Sequence, residues 1–151
     1  MCIAAYKPAN ATIPEAILYR MFSANPDGAG VMYAQSGTLY VIKGLMTAEA
    51  FVAAAQAIPA ECPAVLHCRI ASHGSVCPEL THPFVVAKSV DKITPLYAEI
   101  TDGYAVAHNG IIRDMSIGAD NISDTVAYVR DILYPLSRWG SLTTSRFRAI
   151  I

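Results

Sequence analysis

The sequence is poor in charged residues and contains no cluster of them. Asp, Glu, Lys and Arg make up 15% of its 151 residues, compared with roughly 25% in an average soluble domain. The formal net charge is only −1, and the longest basic cluster is Arg146 with Arg148 near the C-terminus. Because nucleic-acid binding needs a dense basic surface that contacts phosphates, we expect no nucleic-acid partner.

The sequence also lacks the apolar runs that insert into membranes. No stretch approaches the roughly 18 residues that a transmembrane helix requires, and the alanine-rich segment 51–58 is much shorter. The first six residues carry no basic charge before their apolar part, unlike a secretory signal. We therefore expect a cytoplasmic protein with no membrane partner.

Cysteine is scarce, and its four positions do not form a disulfide framework. The residues are Cys2, Cys62, Cys68 and Cys77. Disulfides are rare in cytoplasmic proteins, so we expect free thiols. Cys62 and Cys68 lie in apolar surroundings and are interpreted as small core residues, since free cysteine is among the most buried residue types.

Apolar residues, by contrast, are in excess, at 54% of the chain. A chain of this length fits a single domain, which we place at 1–151. The apolar surplus is enough to build a layered core, and it also favours self-association, so a homo-oligomer is left open.

The hydrophobic pattern predicts an α+β fold with antiparallel pairing, because the predicted strands are close in sequence. Thr12 and Glu15 have the spacing of a capping box at a helix start, Thr47 begins a second helix, and Ser36-Gly37 is a hairpin signal. Residues 88–93 are predicted to be a loop. Strands are predicted at 1–6, 30–35, 38–43, 64–70, 84–87, 94–97 and 104–108, and helices at 12–24, 47–58 and 123–136.

Cys2 is the first candidate for chemistry, because it directly follows Met1. Removal of Met1 would leave Cys2 with a free α-amino group, whose ordinary pKa is about 7.7–8.0. Such an amine can accept the proton of the thiol without a separate histidine. The alternative is that position 2 simply holds a small residue.

A second candidate is the segment that begins with His67, Cys68 and Arg69 and continues to Ser72 and His73. It follows an apolar strand, and an arginine there is costly to bury unless it meets an anion. A planar guanidinium binds a carboxylate through two hydrogen bonds. That carboxylate is either a substrate group or an acidic side chain of the protein itself.

Two further motifs each allow a structural and a functional interpretation. Asn109-Gly110 is a strong hairpin signal, and its side-chain amide and backbone N–H could also form an oxyanion hole. Ser123 has the character of a helix N-cap, and Asp124 behind it is either an ordinary acid of the first turn or a carboxylate that binds a substrate ammonium group.

Taken together and in this order, the motifs resemble the class II glutamine amidotransferase domain, a branch of the N-terminal-nucleophile hydrolases. Asn25–Gly30 and His82-Pro83 add to the resemblance, which covers positions 2 to about 136. Ile70 stands where members of that family often have an aromatic residue, and Ser72 where threonine is usual. The resemblance implies a four-layer αββα sandwich of two antiparallel sheets flanked by helices. We expect no cofactor and no metal.

The resemblance also implies a reaction. The thiol attacks the side-chain amide of glutamine, forms a γ-glutamyl thioester, releases ammonia and yields glutamate by hydrolysis. The partner would be a glutamine-like small molecule, and any ammonia acceptor a separate protein. The implied roles are Cys2 as nucleophile and, through its α-amine, base; Arg69 and Asp124 as ligands of the substrate α-carboxylate and α-ammonium; Ser72 and His73 as lining of the glutamine pocket; and Asn109 and Gly110 as oxyanion donors.

Three alternatives stay open at this point. The same residues could cleave another linear amide or a γ-glutamyl conjugate. The chain could be a non-catalytic scaffold. It could also bind zinc, which favours thiolate and imidazole ligands, through the group His67, Cys68, His73, Cys77 and His82.

Overall fold

The computed structural model describes residues 1–71, 75–112, 115 and 122–139. Over these residues the chain forms two antiparallel sheets with helices packed against them, so the predicted α+β class and antiparallel pairing are confirmed. Among the described residues, none of the helices has the length and apolar character needed to cross a membrane.

The strands and helices follow the hydrophobic pattern closely in the first half of the chain. Thereafter they become shorter and less regular. The strands are β1 (Ile3–Lys7), β2 (Ala29–Gln35), β3 (Thr38–Leu45), β4 (Ala64–Cys68), β5 (Phe84–Val85), β6 (Tyr97–Ile100) and β7 (Ala105–Val106). The helices are α1 (Glu15–Ala24), α2 (Ala48–Gln56), α3 (Val90–Ile93), α4 (Asp124–Tyr128), a π-helical turn (Val129–Leu133) and α5 (Tyr134–Arg138), with a 3-10 turn at Pro78–Leu80.

The larger sheet has the strand order β1-β4-β2-β3-β6, and the smaller sheet pairs β5 with β7. In the β1–β4 pair, Ile3 lies opposite Cys68 and Lys7 lies opposite Ala64. The start of β1 therefore lies beside the end of β4, so Cys2 and Arg69 leave the sheet at the same edge.

The two faces of the large sheet pack against different layers. On one face, α1 and α2 cover a core that includes Leu18, Phe51 and Leu66. On the other face, Nζ of Lys43 in β3 lies 4.1 Å from the ring centre of Phe84 in β5. The small sheet lies on this side, and α4 and the π-helical turn complete a second core beyond it. The layers thus follow the order helix, sheet, sheet, helix.

Local sequence signals explain several element boundaries. Oγ1 of Thr47 accepts a hydrogen bond from the backbone N–H of Ala50 at 3.2 Å, and Oγ of Ser123 accepts one from Val126 at 3.2 Å. Both predicted N-caps are confirmed. The hairpin at Ser36-Gly37 is also confirmed, because φ values of 49° and 82° match the left-handed conformation of a two-residue turn.

The predicted capping box at Thr12 is wrong. Helix α1 begins at Glu15, its N-cap is Pro14, and no side chain caps it. Since a residue that precedes proline is disfavoured in the helical region, Ile13 cannot extend the helix back to Thr12.

Three predictions for the second half need correction. Residues 88–93 are not entirely loop, because α3 forms there around the fully buried Ile93. The strand predicted at 94–97 is instead β6, which begins at Tyr97. Strand β7 ends at Val106 and pairs with β5, so within the described residues Asn109-Gly110 is a bend rather than the turn of a hairpin.

Candidate active site

One pocket brings together four of the residues that the sequence singled out. Cys2, Arg69, Gly110 and Asp124 all line it, although they lie far apart in the sequence. The remaining lining residues are Ile70, Ala71, Leu80, His82, His108, Ser123 and Thr125. The pocket lies at the edge where β1 begins and β4 ends, and α4 supplies its opposite wall.

Cys2 stands immediately before β1 and is partly exposed. Its Sγ donates a 3.6 Å hydrogen bond to the carbonyl oxygen of Ile70. The preceding residue, Met1, is 96% exposed. The thiol therefore faces the segment that follows Arg69, while Met1 itself is exposed to solvent.

Arg69 is 5% exposed, and backbone contacts fix its position. Its backbone N–H donates to the carbonyl of Gly28 at 2.8 Å, and its Nη1 donates to the carbonyl of Ser75 at 2.9 Å. A buried guanidinium that lines a pocket is well placed to bind an anion, because its planar donors match a carboxylate.

The turn after α1 supports both the chain start and the Arg69 segment. Oδ2 of Asp27 accepts a hydrogen bond from the backbone N–H of Ala71 at 2.8 Å, and the backbone N–H of Asp27 donates to the carbonyl of Arg69 at 3.1 Å. The side-chain amide of Asn25 donates to the carbonyl of Met1 at 2.9 Å. The sequence analysis counted this segment toward the family resemblance but assigned neither side chain to the site.

Asp124 is the first residue of α4 and is only partly buried. Its Oδ2 accepts from the backbone N–H of Ile112 at 2.8 Å, and its Oδ1 accepts from that of Thr125 at 2.7 Å. The hydroxyl of Thr125 contacts Oδ1 at 3.3 Å. Because a carboxylate offers about four acceptor positions, the group keeps capacity for one further donor.

A pair of buried imidazoles lies at the pocket, and one of them, His82, lines it. The rings of His67 and His82 are 4.3 Å apart, and Nε2 of His67 lies 3.2 Å from the carbonyl oxygen of His108. Burial lowers the pKa of His67 to about 4 and that of His82 well below its ordinary value, so both are neutral near pH 7. Nε2 of neutral His67 donates to this carbonyl, which holds the start of the 108–110 bend against β4.

Of the remaining predicted site residues, the structure describes only Asn109. Asn109 is exposed and is not among the residues that line the pocket, whereas its neighbour Gly110 is. Ser72 and His73 lie outside the described residues. The pocket measures about 40 Å³, well below the roughly 300–1,000 Å³ of small-molecule sites, so binding of an amino acid requires it to widen.

The thiols differ sharply in environment. Cys62 and Cys68 are 3% and 0% exposed, so the prediction that both are core residues is confirmed. All four cysteines are free. Burial, and to a smaller extent the neighbouring Cys2, raises the pKa of Cys68 to about 12, so this thiol stays protonated and cannot be the nucleophile. Cys2 and Cys77 are the partly exposed thiols.

Within the described ranges, no three or more His, Cys, Asp or Glu side chains are grouped so that they could hold a metal ion. One member of the zinc group considered from sequence, His73, lies outside these ranges. In comparisons with known proteins, no family model, no curated protein and no solved structure matches the chain. The interpretation of the site therefore depends on its own residues and geometry.

Proposed function

We propose that this protein is an N-terminal-cysteine amidohydrolase of the class II glutamine amidotransferase type, which hydrolyses the side-chain amide of glutamine to glutamate and ammonia. The observation that carries the proposal is the shared pocket of Cys2, Arg69, Gly110 and Asp124. It combines a thiol, a cation, an anion and a backbone donor beside a glycine bend.

The charges of the pocket favour a free amino acid as substrate. Arg69 presents a cation and Asp124 an anion to the same pocket, a combination that is complementary to a zwitterion. With its α-carboxylate on Arg69 and its α-ammonium on Asp124, an amino acid is held at its head group. Its side chain is then directed toward Cys2, where a carboxamide is the group that a thiol can attack.

Removal of Met1 activates the nucleophile in this mechanism. It converts the backbone nitrogen of Cys2 from an amide, which is not basic, into an amine. The amine takes the proton of Sγ as the sulfur forms a bond to the amide carbon. The oxygen of the carbonyl becomes an oxyanion, to which the N–H of Gly110 donates.

The same amine transfers the protons in both halves of the reaction. As the carbon–nitrogen bond breaks, the α-ammonium of Cys2 returns the proton to the leaving group, which departs as ammonia and leaves a γ-glutamyl thioester. Water then adds to the thioester carbon and gives one proton to the amine. The carbon–sulfur bond breaks, the ammonium returns this proton to sulfur, and glutamate leaves. Asn109 serves as a second oxyanion donor once its exposed side chain turns toward the pocket.

Ammonia release from glutamine by the processed protein tests this proposal, with Cys2→Ala and Cys77→Ala as matched variants. Both cysteines are free and partly exposed, but only Cys2 lines the pocket. We expect Cys2→Ala to abolish ammonia release and Cys77→Ala to retain it.

Activity in Cys2→Ala, or its loss in Cys77→Ala, would overturn the assigned nucleophile. Hydrolysis of a γ-glutamyl conjugate or a simple acylated amine, with none of glutamine, would instead overturn the assigned substrate.

A further inference from the structure

A second cavity lies on the opposite face of the large sheet from the candidate active site. It measures about 400 Å³, within the roughly 300–1,000 Å³ range of small-molecule pockets. It lies where the end of β1, the segment before α1 and the C-terminal end of α2 meet. Its lining includes the apolar side chains of Leu18, Ile58 and Leu66, each at most 7% exposed.

Lys7 is the charged residue in this lining. Although it is 6% exposed, its Nζ meets neutral acceptors, the carbonyl oxygens of Ala11 at 3.3 Å and Ala60 at 3.1 Å. No carboxylate of the described residues forms an ion pair with it. An ammonium group removed from water without a counter-charge is costly. The two carbonyl oxygens offset part of this cost, and the ammonium group still attracts an anion.

We propose that this cavity binds a small anion with an apolar chain, of the monocarboxylate class. The carboxylate accepts a hydrogen bond from Nζ of Lys7, and the chain packs against Leu18, Ile58 and Leu66. The combination favours this chemistry over a bare inorganic anion, since the side chains of Leu18, Ile58 and Leu66 offer such an ion no hydrogen bonds. It also favours it over a neutral hydrocarbon, which would leave the ammonium without a counter-charge.

The cavity and the candidate active site are separate. Lys7 ends β1 while Cys2 precedes its start, and successive strand residues point to opposite faces. At about 3.4 Å per residue, the two α-carbons are about 17 Å apart. The proposal therefore does not depend on the proposed amidohydrolase activity, and binding can be measured without it.

Titration of the full-length protein with hexanoate, followed by calorimetry and by the NMR signals of the leucine and isoleucine methyl groups, tests the proposal. Hexanol is the neutral ligand of matched chain length. We expect hexanoate to bind at millimolar concentration or below, to perturb methyl groups of Leu18, Ile58 and Leu66, and to bind about tenfold or more tightly than hexanol, as a charged hydrogen bond requires.

Two variants with matched controls locate the site. Lys7→Met removes the charge and Ala55→Leu fills the cavity, whereas Lys92→Met and Ala53→Leu change exposed residues outside it. We expect the first pair to weaken hexanoate binding about tenfold or more, and the second pair to leave it unchanged.

The absence of hexanoate binding would overturn the proposal. Equal affinity for hexanoate and hexanol, or equal effects of the cavity variants and their controls, would overturn it as well. Lys7 also joins two loops through the carbonyls of Ala11 and Ala60, so its substitution affects folding as well as binding. The hexanoate–hexanol comparison and Ala55→Leu decide the question without Lys7→Met.

Discussion

The side-chain amide of Asn25 donates a 2.9 Å hydrogen bond to the carbonyl oxygen of Met1. Asn25 is 5% exposed and ends α1, where its backbone N–H contacts the carbonyls of Met21 and Phe22 at 3.2 and 3.1 Å. The side chain is thus fixed beside the peptide bond whose cleavage would expose the amine of Cys2. Cleavage removes the carbonyl of Met1 and leaves the side chain of Asn25 beside the new amine, and we propose that Asn25 then positions this amine.

This relationship predicts that Asn25→Asp changes the pH dependence of ammonia release. A carboxylate beside the α-amine favours the ammonium form and raises its pKa, by about one unit or more for an opposite charge at close range. Because the amine must be neutral to act as base, the acidic limb of the kcat profile moves to higher pH. Asn10→Asp, at an exposed position, leaves the limb in place. An unchanged acidic limb in Asn25→Asp would rule out this role.

Asp124→Asn tests the ammonium-binding role. The substitution removes the charge that meets the substrate ammonium, so we expect KM for glutamine to rise about tenfold or more, with a smaller effect on kcat. Asp131→Asn is the matched control, because Asp131 is exposed and pairs with Arg130 at 2.7 Å. Steady-state kinetics of both variants would contradict the role if the loss were confined to kcat, or if both variants behaved alike.

Gly30 lies where the two sheets contact each other, and we expect its substitution to lower the stability of the fold. A Cβ at this position would lie 2.2 Å from the carbonyl oxygen of His82 and 2.7 Å from Cβ of Lys43. We expect Gly30→Ala to lower the free energy of unfolding by about 3 kcal/mol or more. Gly37→Ala meets no atom within 4 Å and strains only a left-handed turn, at a cost of about 1 kcal/mol. If urea denaturation gave the same loss of unfolding free energy for both variants, the sheets would not be in close contact at Gly30.

Because the two imidazoles are buried, we expect the folded protein to lose stability in mild acid. The pKa of His67 is about 4 in the folded protein and about 6.5 when unfolded. Between these values the unfolded chain binds more protons, so the free energy of unfolding decreases as pH falls from 6.5 to 4. At about 1.4 kcal/mol per pH unit, the contribution of His67 is at most about 3.5 kcal/mol.

Denaturant unfolding of the wild type and His67→Gln across this pH range measures the effect. Glutamine keeps a donor for the carbonyl of His108 but cannot be protonated in this range. The variant should therefore lose less stability on acidification than the wild type. An equally steep loss in both proteins would show that His67 is not the titrating group.

Features of the fold that depend on neighbouring residues could be predicted from the sequence. The caps of Thr47 and Ser123 and the turn at Ser36-Gly37 each involve residues only a few positions apart. Even the error at Thr12 has a local cause, the conformational limit that Pro14 imposes. Helix α3, in contrast, forms where Ile93 is buried in the second core, and that burial depends on α4 and the π-helical turn far along the chain.

The candidate site also has features that the sequence could predict and features that it could not. The chemistry of Cys2, Arg69 and Asp124 is visible in residue type and order, so these positions could be predicted. The contact of Asn25 with Met1 and that of His67 with His108 join residues 24 and 41 positions apart. No local sequence pattern predicts these two contacts. The signals that were present, an asparagine before the Pro26-Asp27 turn and a histidine within an apolar strand, each called for a structural explanation.

The intact mass of the purified protein, before and after treatment with a diazoketone analogue of glutamine, tests the proposed nucleophile and its activation together. We predict a mass that lacks Met1, a single adduct after treatment, and peptide mapping that assigns the adduct to Cys2. Cys2→Ala should take up no adduct, and excess glutamine should slow labelling of the wild type. A protein that retains Met1 and remains active, or an adduct on Cys77 in place of Cys2, would contradict the mechanism.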